Sequence, residues 1–199
     1  MKRLINAYVF VLLTLVSTNC FSYNSNPEIF ISELVDDAIA TLGNKNISKI
    51  EKNKKIKAIA LENIDIEALG MYTLGPTRKS LDQATLAKYK NLFEKYFLKS
   101  LTSRLTDYSS QKFKVFGSEQ KSETYTMVRS KIVEGSSQPE ILIDWRVYTK
   151  DPAKPLIRDL IVEGLSLAKT QKEEFSSILN SNNNDINILF EKLEAFIKN

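Results

Sequence analysis

The chain has 199 residues, 43% of them hydrophobic, and a formal net charge of +4, enough apolar material for one substantial domain or two small ones sharing a core. It contains no histidine and a single cysteine, Cys20, which excludes Ser-His-Asp and Cys-His nucleophile pairs, histidine-bound zinc and the usual proton shuttle near neutral pH. No metal site and no nucleic-acid-binding stripe are expected.

Lys2 and Arg3 precede an apolar run from Leu4 to Val16, broken only by Asn6 and Thr14 and followed by small and polar residues. This is the layout of a cleaved secretory signal peptide, assigned to residues 1–22, with the cut after Cys20 or after Ser22. A retained anchor is the rival reading, but a membrane span needs roughly 20 apolar residues. A lipid-modified cysteine is disfavoured by the bulk of Asn19. Losing Lys2 and Arg3 lowers the charge by two, so the remaining domain, residues 23–199, is only slightly basic and has no thiol.

Asn26-Pro27-Glu28 is a helix start: a side-chain acceptor, a proline for the first turn and an acid at the positive dipole end. Phe30, Leu34, Ala38 and Leu42 follow at helical spacing up to Gly43. A second helix is expected over about Ser48 to Glu62. Its lysines form the solvated face, or a membrane-surface contact, and Ile50, Ile56 and Ile59 lie opposite. A short third helix begins at Asp65 and runs toward Gly75 and Pro76. The longest starts at Ser80 or Asp82, where Ser80 with Gln83 fits a capping box. It carries Leu86, Tyr89, Phe93, Tyr96, Phe97, Leu101 and Leu105 in one stripe over about six turns.

Beyond Asp107 the period becomes alternating. Strands are expected around Phe113 and Val115, around Tyr125, Met127 and Val128, around Ile141, Ile143, Trp145 and Val147, and around Leu156, Leu160 and Val162. The stretches "GSEQKS", "EGSSQP" and "KDPAKP" between them read as hairpin loops. Helical spacing returns at Ser166 or Thr170, and Asp185 caps a last helix with Ile186, Leu189, Phe190, Leu193 and Ile197 on one face. The order of helices, sheet and helices predicts an α+β fold with a four-stranded antiparallel sheet flanked by N- and C-terminal helices.

Two segments, "LGPTRKSLDQATLAKYKNLFEKYF" and "RDLIVEGLSLAKTQKEEFSSIL", with the signal peptide and the "IDWR" strand between them, resemble the MlaC or toluene-tolerance family. The most specific block is Asp159, Glu163, Gly164, Ser166 and Leu167; "LG" followed by a helix with Phe93 comes next. Two departures stand out. Pro155 and Arg158 occupy positions where the family usually has aromatics, and Arg78 and Lys79 lack the aromatic that commonly accompanies a basic residue there. The resemblance implies a periplasmic phospholipid carrier, a sheet and helices enclosing an apolar lipid cavity, and a head group left toward solvent. It implies partners as well: an inner-membrane ABC transporter complex, met through its MCE-domain subunit, and an outer-membrane lipoprotein associated with a porin. It further implies a role in maintaining outer-membrane lipid asymmetry.

Such a task needs burial rather than chemistry. Each methylene exposed to water costs about 0.8 kcal/mol, so a chain of about sixteen carbons costs on the order of 12 kcal/mol. The expected tail contacts are Phe93, Phe97 and Leu101 on the long helix, Tyr125, Met127, Ile143 and Trp145 in the sheet, and Leu165, Leu167 and Phe175 at the strand-to-helix handover. Arg78 and Lys79 are expected near the head group. Gly164 is read as permitting a bend or bulge. No catalytic residue and no cofactor are expected, the phospholipid being cargo, and the protein is expected to be a monomer. The alternatives are a small lipid hydrolase or isomerase using Asp159 and Glu163, which fall on one side of an extended strand, and a chaperone for polypeptide. Pairing of these carboxylates with Arg146 or Arg158 is the plainer account.

Overall fold

The computed structural model describes residues 23–105, 112–133 and 140–199. The expected signal peptide, with Cys20, and the expected loop 134–139 lie outside the described residues. Helix α1 (Pro27–Gly43) starts where the caps demand: the Asn26 side chain accepts the amides of Glu28 and Ile29. Helix α2 (Lys49–Asn63) opens on a reciprocal capping box between Ser48 and Glu51, satisfying two amides that the helix itself leaves unpaired. Ile56 and Ala60 are buried, but Ile50 is 80% exposed. The expectation that Ile50 shares the inner face fails because the buried positions of α2 begin only at Ile56, a turn and a half further on.

Asp65 caps α3 (Ile66–Thr73), and a 3-10 turn over Gly75–Lys79 follows. In α4 (Gln83–Leu105) the two cap candidates separate. Asp82 accepts the Thr85 amide at 2.7 Å, whereas the Ser80 hydroxyl donates backward to the Thr77 carbonyl. Helix α5 (Leu167–Asn180) is capped by Ser166 and α6 (Ile186–Lys198) by Asp185.

Helices α3 to α6 close around one apolar cluster built on Leu69, Tyr89, Phe93, Phe175, Leu179 and Leu189. Phe93 is its hub, stacked on Phe97 and meeting the Phe175 ring edge-on with centroids 6.3 Å apart. The buried Tyr89 hydroxyl lies 2.9 Å from Thr73 Oγ1 and donates to the Gly70 carbonyl. Burial pushes this phenol far above its ordinary range. Gly70 lets α3 approach the Phe93 ring, since a Cβ there would stand 2.8 Å from Cδ1 of Phe93. Phe93 is locked among aromatics and cannot yield, so Gly70→Ala should destabilise the protein by about 2 kcal/mol despite alanine's better helix propensity. Urea unfolding followed by circular dichroism measures this.

The sheet comprises β1 (Lys112–Ser122), β2 (Tyr125–Val133), β3 (Ile141–Tyr148), β4 (Leu156–Val162) and β5 (Leu165–Ser166), antiparallel throughout and in chain order. It has five strands rather than the expected four. The fifth is two residues long, too short to show an alternating period. The stretch "GSEQKS" is also not a loop: it continues β1, and the turn falls at Glu123 and Thr124. Helix α1 lays Phe30, Ile31 and Leu34 on one face of the sheet, against Val128, Trp145, Val147 and Ile157. Buried Ser130 accepts the Trp145 indole N–H at 2.8 Å and donates to the Ile143 carbonyl. This second cluster is separate from the helical one, and Ile64, at the α2–α3 junction, packs against both.

Candidate functional site

The block Asp159 to Leu167 builds the corner where sheet becomes helix. Glu163 and Gly164 take φ of 50° and 79°, the left-handed pair that a two-residue hairpin requires. Gly164 therefore sits in a tight turn rather than a bend or bulge. After the turn, β5 pairs briefly with β4 and Ser166 begins α5. Asp159 is only 3% exposed. Its carboxylate accepts the Ser166 hydroxyl at 2.7 Å and the Ala168 amide at 3.0 Å, in the first turn of α5. Arg146, its register partner on β3, stands 3.5 Å away. A buried carboxylate at a helix N-terminus is stabilised by the amides it accepts and by the helix dipole.

Glu163 takes no part in this clamp. It is exposed in the turn, where its side chain accepts the Leu142 amide. The two carboxylates that an enzyme reading would pair are thus committed to different structural bonds. The plainer pairing of Asp159 with Arg146 is the one present.

The bulge of β4 lies at Arg158 and not at Gly164, where it was expected. Arg146 pairs with Asp159 and Val147 with Ile157, so Arg158 has no opposite residue on β3. The extra residue re-aims its side chain. Nε and Nη2 of Arg158 reach Asp65 Oδ2 at 2.8 and 2.7 Å, and Nη1 donates to the Tyr125 hydroxyl at 2.8 Å. The guanidinium lies 3.5 Å above the Tyr148 ring, a cation–π contact. Burial works against the charge, but the bonds to Tyr125 and Asp65 outweigh it and hold the guanidinium above its ordinary value. Asp65 also caps α3 through Ala68, so this arginine ties the helical body to the sheet.

Between these ties lies a cleft of about 460 Å³, within the usual range for a small-ligand site. Ala68, Leu69 and Tyr72 of α3, Ala168 of α5 and Tyr125 and Met127 of β2 line it. Lys121, Arg146 and Arg158 also border it, with Ser122 and Thr126. The arrangement is an apolar wall beside three cations, suited to an amphiphile with a negative head.

The expected tail contacts distribute unevenly. Tyr125 and Met127 line the cleft. Phe93 and Phe175 are buried in the helical cluster, with Phe97 and Leu101 packed against it. Trp145 and Ile143 belong to the α1 side of the sheet. Leu165 is 60% exposed and Leu167 is exposed beside it. Arg78 donates to the Met71 and Gly75 carbonyls, closing the end of α3, and Lys79 is exposed. Sequence reasoning overlooked Ala68, Leu69, Tyr72 and Ala168 as lining. Two of these are alanines, which carry too little bulk to announce a binding wall. Arg158 stood out in the sequence only as a departure from the family pattern, because the bulge exists only in the paired register.

Among the described residues no helix is long and apolar enough to cross a membrane, and no cluster of three or more metal-ligating side chains occurs. A search of curated proteins finds no match to the chain. Among solved structures, the phospholipid-binding protein from Ralstonia solanacearum, in complex with a phospholipid, is similar with a TM-score of 0.70 at 17% identity, covering 88% of this chain and 97% of that chain. A likeness at that identity establishes the shared fold. The MlaC protein family model matches residues 32–195, most of the chain, and the protein therefore belongs to the MlaC family.

Proposed function

We propose that the protein is a periplasmic carrier that buries the acyl chains of a diacyl phospholipid and exchanges it between membrane-bound partners. The observation that carries this reading is the cleft itself, an apolar wall bordered by Lys121, Arg146 and Arg158. The family membership and the phospholipid bound to a protein of the same fold support it. Tails of about sixteen carbons each gain on the order of 12 kcal/mol by leaving water, which an apolar cleft supplies without a cofactor or a catalytic group. The helical and sheet-side clusters are separate and meet through Ile64 and the Arg158–Asp65 pair, and the cleft deepens along that seam as the helical cluster parts to admit the tails. Tyr125 and Met127 are the expected tail contacts nearest the opening, with Phe93, Phe97, Leu101 and Phe175 further inside the helical body.

In the same reading residues 1–22 direct export, and the carrier works as a monomer. Its partners are an inner-membrane ABC transporter complex with an MCE-domain subunit and an outer-membrane lipoprotein–porin complex, the exchange maintaining outer-membrane lipid asymmetry. The test is direct. Protein purified from a Gram-negative host, denatured and extracted into organic solvent, should release phospholipid in stoichiometric amount by mass spectrometry. Repeated preparations free of phospholipid would overturn the proposal.

A further inference from the structure

The helical body is fastened to the sheet at the start of α3. There the Asp65 amide donates to the Ile157 carbonyl at 3.0 Å, and Ile64 pairs with Ile157 in a single parallel bridge. Beside this backbone joint stands a side-chain tie. Among the described residues, Arg158–Asp65 is the only ion pair between a helix start and a strand. It links positions 93 residues apart, whereas the Asp159 clamp on α5 reaches residues seven and nine positions on.

Each member of the tie can let go without collapse. Asp65 Oδ1 accepts the Ala68 amide, so α3 stays capped when Oδ2 releases the arginine. The guanidinium lies over the Tyr148 ring and keeps that cation–π contact once freed. The two side chains are already 26% and 18% exposed, so opening passes each charge to water instead of stranding it in the interior. Tyr125 connects the tie to the cargo. Its ring lines the cleft while its hydroxyl accepts from Arg158 Nη1, and a tail that displaces the ring loosens the arginine.

We infer that the Arg158–Asp65 pair, with Tyr125, is a latch on lipid exchange that holds α3 against the sheet and must open before the seam parts. Arg158 and Asp65 act through the movement of α3 and not by touching a head group. A latch closed in the empty and the loaded protein alike slows entry and exit equally, so it sets the rate of exchange and leaves affinity unchanged. The inference rests on the phospholipid reading above and adds the residues that govern its kinetics.

Protein loaded with radiolabelled phosphatidylcholine is mixed with excess unlabelled phosphatidylcholine vesicles, and the label remaining on the protein is followed in time. These vesicles carry no net charge, which keeps membrane attraction out of the measurement. Arg158→Gln and Asp65→Asn should each speed release about fivefold, the worth of a partly exposed ion pair, with the fraction loaded at equilibrium unchanged. The double variant should be no faster than the faster single one, because both remove the same bond. Salt should speed release from the unaltered protein and leave Arg158→Gln unaffected. Tyr125→Phe keeps the ring, loses one bond and should give a smaller gain. Glu140→Gln breaks an exposed pair with Lys131 that lies wholly on the sheet side and should change nothing. Asp65→Asn and Tyr125→Phe preserve shape and keep the test valid should Arg158→Gln fail to fold. Unaltered release in both of these, or fully additive gains in the double variant, would overturn the latch. If the unaltered protein takes up no phospholipid, the carrier reading fails and the latch with it.

Discussion

Replacing Asp159 with alanine should lower stability by about 3 kcal/mol, the cost expected when a buried charged acceptor is removed and its donors are left unpaired. The carboxylate is 3% exposed and receives the Ser166 hydroxyl and the Ala168 amide. Without it, the amide has no partner at the first turn of α5. Arg146, nearly half-exposed, turns to water at little cost. Helix α5 contributes Phe175 and Leu179 to the helical cluster and Ala168 to the cleft wall, so loosening its start disturbs both. Asp159→Asn keeps one acceptor oxygen and should cost about half as much. Urea unfolding followed by circular dichroism provides the measurement. The fluorescence of Trp145, the sole tryptophan, reports the sheet-side cluster in parallel. Unchanged midpoints in both variants would show that the corner does not hold the fold.

A carboxylate in the cleft wall should have the largest effect on cargo. In Met127→Asp the new charge wets an apolar surface and competes with a phosphate for Arg146, its register partner. Phospholipid recovered per protein should fall by about tenfold or more, the penalty of a charge placed against an acyl chain. Met127 is only half-buried, so the fold should survive, as circular dichroism would show. Met127→Leu conserves volume and apolarity and should keep its lipid. Lys54→Asp, on the solvent face of α2, should leave recovery unchanged. Leu165→Asp, at another of the expected tail contacts, should do little, because Leu165 is mostly exposed. Equal recovery from Met127→Asp and Lys54→Asp would place the tails elsewhere.

What the chain alone determined is what depends on near neighbours along it. The caps at Asn26, Ser48 and Asp185, the apolar face of α6, and the alternating strands around Ile143 and Trp145 all follow from side chains within a few residues of one another. The resemblance carried by Asp159, Glu163, Gly164, Ser166 and Leu167 was legible for the same reason: one contiguous segment must make a hairpin, a cap and a buried carboxylate clamp. Tertiary structure decided the rest. Ile50 and Leu165 are as apolar as Ile56 and Leu69, and only the position of the neighbouring elements leaves the first two in water. Arg158 acquires Asp65, Tyr125 and Tyr148 because β4 carries one residue more than β3 at that point, a mismatch that exists only between paired strands. The cleft likewise joins residues from α3, β1, β2, β3, β4 and α5. No local period records it, because burial and charge balance are set by what folds against a side chain and not by its sequence neighbours.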